Sequence, residues 1–121
     1  MSNLSDLQVY SEALDIAEVV YSVTAKFPID ERFGLVSQSR RAAVSIAANI
    51  SEGHGRMSKK EFAHFISIAL GSASELETHL VIASRLGFLG SANLAELNSD
   101  LESIRRKLGK LYSYLRGNTH D

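Results

Sequence analysis

The chain has 121 residues, of which 45% are hydrophobic, and a formal net charge of −1. This length predicts a single domain over residues 1–121, and the apolar content is too high for a disordered chain. The absence of cysteine excludes disulfide and thiol chemistry. The N-terminus is acidic where a signal peptide needs a basic region, and no apolar run approaches a membrane span, so we expect a cytoplasmic protein without a membrane partner.

Charge alternates along the chain in four blocks. The net charge is −5 over residues 1–31, +5 over 32–60, −5 over 61–104 and +4 over 105–121. Antiparallel helices that attract one another would give this alternation, and so would a basic surface that contacts phosphates. The candidates for phosphate contacts are Arg40, Arg56, Lys59, Lys60, Arg105, Arg106 and Lys110. For any single one of them, a solvated position on the protein surface is the simpler interpretation.

The first helix is predicted to begin at Ser5, which forms a capping-box pattern with Gln8, and to end near Lys26. It must end there because Pro28 fixes its own φ and biases the preceding Phe27 away from helix. The predicted apolar stripe consists of Tyr10, Leu14, Ala17, Val20 or Tyr21, and Thr24.

The second helix is predicted from about Leu35, after acidic residues that suit a helix start, and its body is rich in alanine and serine. We expect Gly53 and Gly55 to end it as a left-handed cap. The predicted apolar stripe consists of Leu35, Val36, Ala43, Ile46 and Ile50. Because Val44 and Ala48 lie outside this stripe, we expect burial on a second face, at a subunit interface.

Two further helices follow, and both have an unbroken apolar seam. Ser58 and Glu61 form a capping box at the start of the third helix, and Gly87 ends it. Gly117 ends the fourth helix, before a frayed tail over 118–121. The third seam is Phe62, Ile66, Ala69, Ala73, Leu76, Leu80 and Ala83, and the fourth is Leu94, Leu97, Leu101, Ile104, Leu108, Leu111 and Leu115. Short loops make neighbours antiparallel, so the predicted fold is all-α, an up-down-up-down four-helix bundle.

Two lines of polar residues run along the second and third helices. They consist of Gln38, Arg41, Ser45, Asn49 and Glu52 on the second helix, and of Ser72, Glu75 and His79 on the third. Each line is either a solvated edge or part of a buried hydrogen-bond network between helices or subunits. If the lines face each other, Arg41 pairs with Glu75, while Ser45 and Asn49 meet Ser72. Such an ion pair would specify the register of assembly more than it would add stability.

No group of residues predicts catalysis. Glu61 and His64 form one Glu-x-x-His pattern, but di-iron bundles need two such pairs and two further glutamates. The loop over residues 53–56 lacks the phosphate-binding pattern of nucleotide-binding loops. We therefore expect no enzymatic activity, no cofactor and no metal site.

Three segments carry a resemblance to a known family: FPIDERFGL, SQSRRAAVSIAANISEGHGR and EFAHFISIALGSASELETHL. Together they span roughly Leu7 to Leu89 and resemble the proteins encoded in intervening sequences of bacterial 23S rRNA genes. Ser51 replaces the alanine usual in that family. The resemblance implies an up-down helical bundle, often a ring-shaped pentamer, without a known activity. A related bundle, the accessory variability protein of diversity-generating retroelements, binds nucleic acid and a reverse transcriptase.

These observations favour a non-enzymatic scaffold that forms a homo-oligomer, a pentamer by resemblance, and binds RNA or DNA. The alternative is a protein-binding adaptor that accepts a partner helix in a groove and has no role with nucleic acid. Salt dependence separates the two, because phosphate contacts weaken steeply with salt and apolar contacts do not.

Overall fold

The computed structural model describes residues 3–4 and 7–117, which form four α-helices and no strand. The helices are α1 (Gln8–Thr24), α2 (Ser37–His54), α3 (Lys59–Arg85) and α4 (Ser91–Leu115). Each helix packs against its neighbour in sequence, and α1 also packs against α4. The contacts run antiparallel, so the predicted all-α four-helix bundle is confirmed.

The start of α1 differs from the prediction. The helix begins at Gln8, and Leu7 occupies the N-cap position without a side-chain cap. Ser5, the other half of the predicted capping box, lies outside the described residues, as does the predicted tail over 118–121.

The buried stripe of α1 also differs from the prediction. The helix buries Val9, Ala13, Ile16, Val20 and Thr24, whereas the predicted Leu14 and Tyr21 are 41% and 46% exposed. Two neighbouring stripes of α1 are apolar, and the bundle buries the one with the smaller and β-branched side chains, which pack closely against adjacent helices.

A wide turn connects α1 to α2. A short 3₁₀ turn (Ile29–Glu31) and a π turn (Arg32–Val36) precede the regular helix, which begins at Ser37 rather than at Leu35. The Leu35 amide donates a hydrogen bond to Glu31 Oε1 at 3.1 Å, so Glu31 caps this turn. Gly34 has φ −108° and ψ −112°, and a Cβ there would lie 2.8 Å from the same Glu31 oxygen. A larger residue at this position would have to displace the Glu31 carboxylate that caps the turn.

The predicted left-handed cap of α2 is wrong. Gly53 lies inside the helix, and the terminal Gly55 has φ −81°, which any residue can adopt. Gly53 instead makes room for α3, because a Cβ there would lie 2.8 Å from Phe62 Cδ1 and 2.8 Å from Phe65 Cβ. The role of this glycine is close approach between helices.

The other helix boundaries agree with the predictions. Ser58 accepts a hydrogen bond from the Glu61 amide at 3.1 Å at the start of α3. At its end Gly87 has φ +84°, and the Phe88 amide donates to the Ala83 carbonyl at 2.8 Å, as in a Schellman motif. Gly117 has φ +75° after α4.

The core is built on α3 and α4. All seven predicted seam residues of α3 are buried, and the seam of α4 is buried except for Leu94 and Leu111, which are half-buried. One expectation is corrected: by length and composition alone, α3 is apolar enough to cross a membrane. Its seam packs in the bundle core, between α2 and α4.

Candidate functional site

The polar lines of α2 and α3 face each other across the outside of the bundle. Arg41 Nη2 lies 3.3 Å from Glu75 Oε2, so the predicted ion pair is present. Ser45 Oγ and Ser72 Oγ share a hydrogen bond of 2.8 Å, which is the predicted serine contact. These two contacts join the helices near the middle of both.

The remaining members of the lines are placed differently. Asn49 donates hydrogen bonds to the Ser45 carbonyl and hydroxyl, both at 2.9 Å, and not to Ser72. Glu52 Oε2 lies 2.6 Å from Nη2 of Arg56, four residues later in the chain, and so does not reach α3. Gln38 is exposed. An asparagine four residues after a serine reaches back along its own helix more readily than across to a neighbour.

This polar network is partly exposed on the surface of the chain. The side chains of Arg41 and Glu75 are 62% and 45% exposed. The pKa of Glu75 lies below its ordinary value, chiefly because His79 Nε2 hydrogen-bonds its carboxylate at 3.0 Å. The outward surface formed by the network and by the exposed apolar side chains beside it is called the α2–α3 face. Its apolar members are Val44, Ala48 and Ile68.

Arg40 has a structural role that the sequence did not reveal. Its Nε donates to Thr24 Oγ1 at 2.9 Å, and its Nη2 donates to the Tyr21 carbonyl at 3.2 Å. The guanidinium also lies 4.4 Å from the centre of the Tyr21 ring. Arg40 therefore uses two of its five N–H donors at the carbonyl end of α1.

Arg105 is likewise engaged, since its Nη1 lies 2.8 Å from Glu77 Oε1 and the pair joins α4 to α3. Lys107, which was not among the candidates, pairs with Glu12 and joins α4 to α1. These contacts explain why α4 carries basic residues opposite acidic neighbours, as the alternating charge blocks predict.

The other basic candidates lie toward the end of the bundle where α2 turns into α3. Lys59 Nζ lies 5.0 Å from the centre of the Tyr114 ring, so the start of α3 contacts the end of α4. Arg106 and Lys110 precede Tyr114 by eight and four residues, and all three share one face of α4. The surface made by these residues is called the basic end. Its members are Arg56, Lys59, Lys60, Arg106, Lys110 and Arg116.

Arg116 was missed as a candidate, although it belongs to the last positive charge block. Only Arg56 has a carboxylate partner among the described members of the basic end, and it also lies 4.7 Å from the centre of the Phe65 ring. Residues 106–117 contain no acid and four basic residues, of which Lys107 pairs with Glu12 and the other three belong to the basic end. The basic end therefore carries a local positive charge that the whole-chain charge of −1 conceals.

A recess of about 190 Å³ opens at the basic end. His54, Met57 and Phe62 line it together with Arg56, Ser58 and Lys59. The rings of His54 and Phe62 meet edge to face with their centres 6.0 Å apart, and Met57 is 98% exposed. The recess thus has a cationic rim and two aromatic residues in its lining, of which Phe62 is only 4% exposed.

A second recess of about 210 Å³ lies between α1 and α4. Glu12, Asp15 and Asp100 line it with Ser103, and Ile16 is the one apolar residue among the described residues of its lining. Over the ranges that the structure describes, no three His, Asp or Glu side chains are grouped to hold a metal ion.

Comparison with known proteins agrees with the resemblance of the sequence motifs. A protein of unknown function from the S23 ribosomal protein family of Bacteroides thetaiotaomicron has a similar solved structure, with a TM-score of 0.77 and 25% sequence identity. The similarity covers 86% of this chain and 97% of that one. No protein of curated function matches. Residues 5–110 match the 23S rRNA-intervening sequence proteins, and the chain belongs to this family.

Proposed function

We propose that the protein is a non-enzymatic scaffold that associates with itself and binds RNA or DNA through the basic end. The observation that carries the proposal is the contact between Lys59 and Tyr114, which gathers two separate positive blocks of the sequence on one surface. Lys60, Arg106 and Lys110 are exposed there. Exposed cations without carboxylate partners are the groups that exchange counterions for phosphates.

Self-association is supported by the α2–α3 face. Val44 and Ile68 are 44% and 38% exposed there, beside small residues that allow close approach of a second helix pair. The half-exposed ion pair of Arg41 and Glu75 would set the register between copies, since its remaining hydrogen-bonding capacity points outward. The family resemblance implies a pentamer.

Nucleic-acid binding is tested by fluorescence anisotropy with labelled RNA and DNA between 50 and 200 mM salt, the range over which phosphate contacts weaken by orders of magnitude. The double variant Lys60→Gln/Lys110→Gln should lower the slope of log affinity against log salt by about 1.4–1.8, because each phosphate contact contributes about 0.7–0.9. The matched control is Lys26→Gln/Arg85→Gln, two exposed cations at the opposite end. Salt-independent binding, or an equal loss in the control, would contradict the proposal.

Self-association is tested by light scattering, which gives the absolute mass. We expect a mass of several subunits for the wild type and of one subunit for Val44→Glu/Ile68→Glu. The introduced carboxylates would lose their hydration and repel one another if this face were buried between subunits. Leu14→Glu is the control, since Leu14 is 41% exposed on α1, away from the α2–α3 face. A monomeric wild type would refute this part of the proposal.

A protein-binding adaptor is the second candidate, and one observation favours it. Ile29 and Phe33 are 71% and 84% exposed at the end of the bundle opposite the basic end. Exposed aromatic and aliphatic side chains of this kind can anchor a protein partner. The recess between α1 and α4 does not fit a partner's apolar helix, because carboxylates line it. Binding that survives high salt and is lost in Phe33→Ser would favour this candidate.

A further inference from the structure

The basic end contains features that phosphate binding alone does not need. Tyr114 is 50% exposed in the middle of the cationic surface, and Lys59 lies over its ring. The recess beside it is lined by His54 and by the mostly buried Phe62, and the Met57 side chain at its opening is 98% exposed. A protein that read only the backbone of a duplex would need the cations and not these groups.

We infer that the basic end takes single-stranded rather than duplex nucleic acid, with one unpaired base held in the recess between the end of α2 and the start of α3. This inference rests on the proposed function and names the class of nucleic acid that the same surface accepts. Proteins that bind single strands combine a cationic path for the backbone with aromatic side chains on which bases stack, and the basic end has both.

The recess has the size and lining that a single base requires. Its volume of about 190 Å³ exceeds that of one nucleobase, and its lining includes the half-buried His54 ring and the small part of Phe62, 4% of that residue, that remains exposed. Met57 lines the opening, and its unbranched thioether can pack over a flat ring in several conformations. Arg56 and Lys59 at the rim lie where the phosphates on either side of an inserted base would be.

The helix geometry at the recess also favours a strand with a bent backbone. The start of α3 presents amide groups that have no partner within the helix, and Ser58 satisfies only the amide of Glu61. Ser58 and Lys59, at the start of α3, both line the recess, so a phosphate bound there would lie near the helix N-terminus and a positive charge. A duplex cannot place a base in the recess without first being unstacked and unpaired, which costs free energy.

The exposed half of the Tyr114 ring offers a second stacking position. Lys110 precedes Tyr114 by one helical turn, so a phosphate on Lys110 would lie beside a base on this ring. Stacking is insensitive to base identity, and we expect little sequence preference.

The test compares a labelled 12-nucleotide strand, its duplex and an abasic strand of the same length, each measured by anisotropy at one salt concentration. We expect the strand to bind about 10-fold more tightly than the duplex or the abasic strand, the effect of roughly one stacked base. Tyr114→Leu should weaken strand binding about 5- to 10-fold and leave duplex binding and the salt slope unchanged.

Tyr21→Leu is the matched control, because Tyr21 is also half-exposed and also carries a cation over its ring, toward the opposite end of the bundle. Unchanged helical circular dichroism confirms that each variant is folded. A strand with one 5-iodouridine should crosslink on irradiation to His54, Met57 or Tyr114.

Different results would refute the single-strand inference and the proposed function. Equal or tighter binding of the duplex, or undiminished binding of the abasic strand, with a normal salt slope would overturn the single-strand inference and leave the proposed function standing. Crosslinks confined to residues outside the basic end would overturn the recess assignment. Binding of none of the three probes at low salt would refute the proposed function itself.

Discussion

Substituting Gly53 with alanine tests the packing of α2 on α3 directly. Gly53 is buried inside α2, and an added Cβ would lie 2.8 Å from Phe62 Cδ1, 2.8 Å from Phe65 Cβ and 3.2 Å from the Phe62 carbonyl oxygen. Two of these three atoms are fixed by the backbone of α3 and cannot rotate away. The helices must therefore separate locally to accept a methyl group.

The expected magnitude follows from two opposing effects. Alanine in a helix interior is favoured over glycine by about 0.5–1 kcal/mol. Overpacking a well-filled interface costs about 1–3 kcal/mol, and the rigid contacts of Gly53 place it in the upper part of that range. We expect a net loss of about 1–2 kcal/mol in the free energy of unfolding, equivalent to a fall in Tm of about 3–5 °C per kcal/mol for a domain of this size.

Two other helix-interior glycines serve as controls. A Cβ added to Gly71 in α3 or to Gly109 in α4 would meet no heavy atom within 4 Å. Gly71→Ala and Gly109→Ala should therefore stabilise the protein by about 0.5–1 kcal/mol each. The assay is urea unfolding followed by helical circular dichroism at one protein concentration, so that any association affects all variants alike. If Gly53→Ala is as stabilising as the controls, the close-packing argument is refuted.

Three further variants test single contacts. Arg40→Met keeps the aliphatic stem but removes the hydrogen bonds at the end of α1, including that to Thr24, and should cost about 1.5–3 kcal/mol in urea unfolding; an unchanged midpoint would rule out the capping role. Ser39→Ala removes a buried hydroxyl that has no hydrogen-bond partner and should raise the stability by about 1 kcal/mol, whereas a fall in Tm would indicate a bonded hydroxyl. The lowered pKa of Glu75, held down chiefly by the hydrogen bond from His79, means that its carboxylate stabilises the fold above the ordinary glutamate pKa and loses this effect as the pH falls through the lowered value. The Tm difference between wild type and Glu75→Gln should thus be present near pH 6 and shrink as the pH falls below the ordinary glutamate pKa of about 4.3, and a constant difference would contradict it.

The seams of α3 and α4 could be predicted because each helix has a single apolar stripe. In α1 two adjacent stripes are apolar, and the same reasoning placed Thr24 correctly but took Leu14 for a core residue. Tyr21 illustrates the reason: its ring is apolar enough to count as core, yet it is 46% exposed and supports Arg40. Periodicity places residues on a face, but only the neighbouring helices decide which face is buried.

In the candidate site, too, some contacts could be predicted from the sequence and others could not. The spacing of polar residues placed Arg41 and Glu75 each on a polar line of its own helix, and the hypothesis that the two lines face each other gave their contact. The sequence could not show that the adjacent Arg40 turns by about 100° to reach α1 instead, since neighbouring helical residues differ by this angle. It also could not bring Lys59 to Tyr114, because that contact depends on the length of two helices and the loop between them.

The pairing of α2 with α3 limits how the length of this bundle can change in evolution or in design. The contacts of Arg41 with Glu75, of Ser45 with Ser72 and of Gly53 with Phe62 all join residues about equally far from Ser58. An insertion in α2 alone would shift every contact beyond it, whereas equal insertions on both sides of the turn, in multiples of about seven residues, would keep each pair opposite its partner. The lengths of α2 and α3 can therefore change only together, so relatives of different length should carry matched insertions in both helices rather than a single insertion in one.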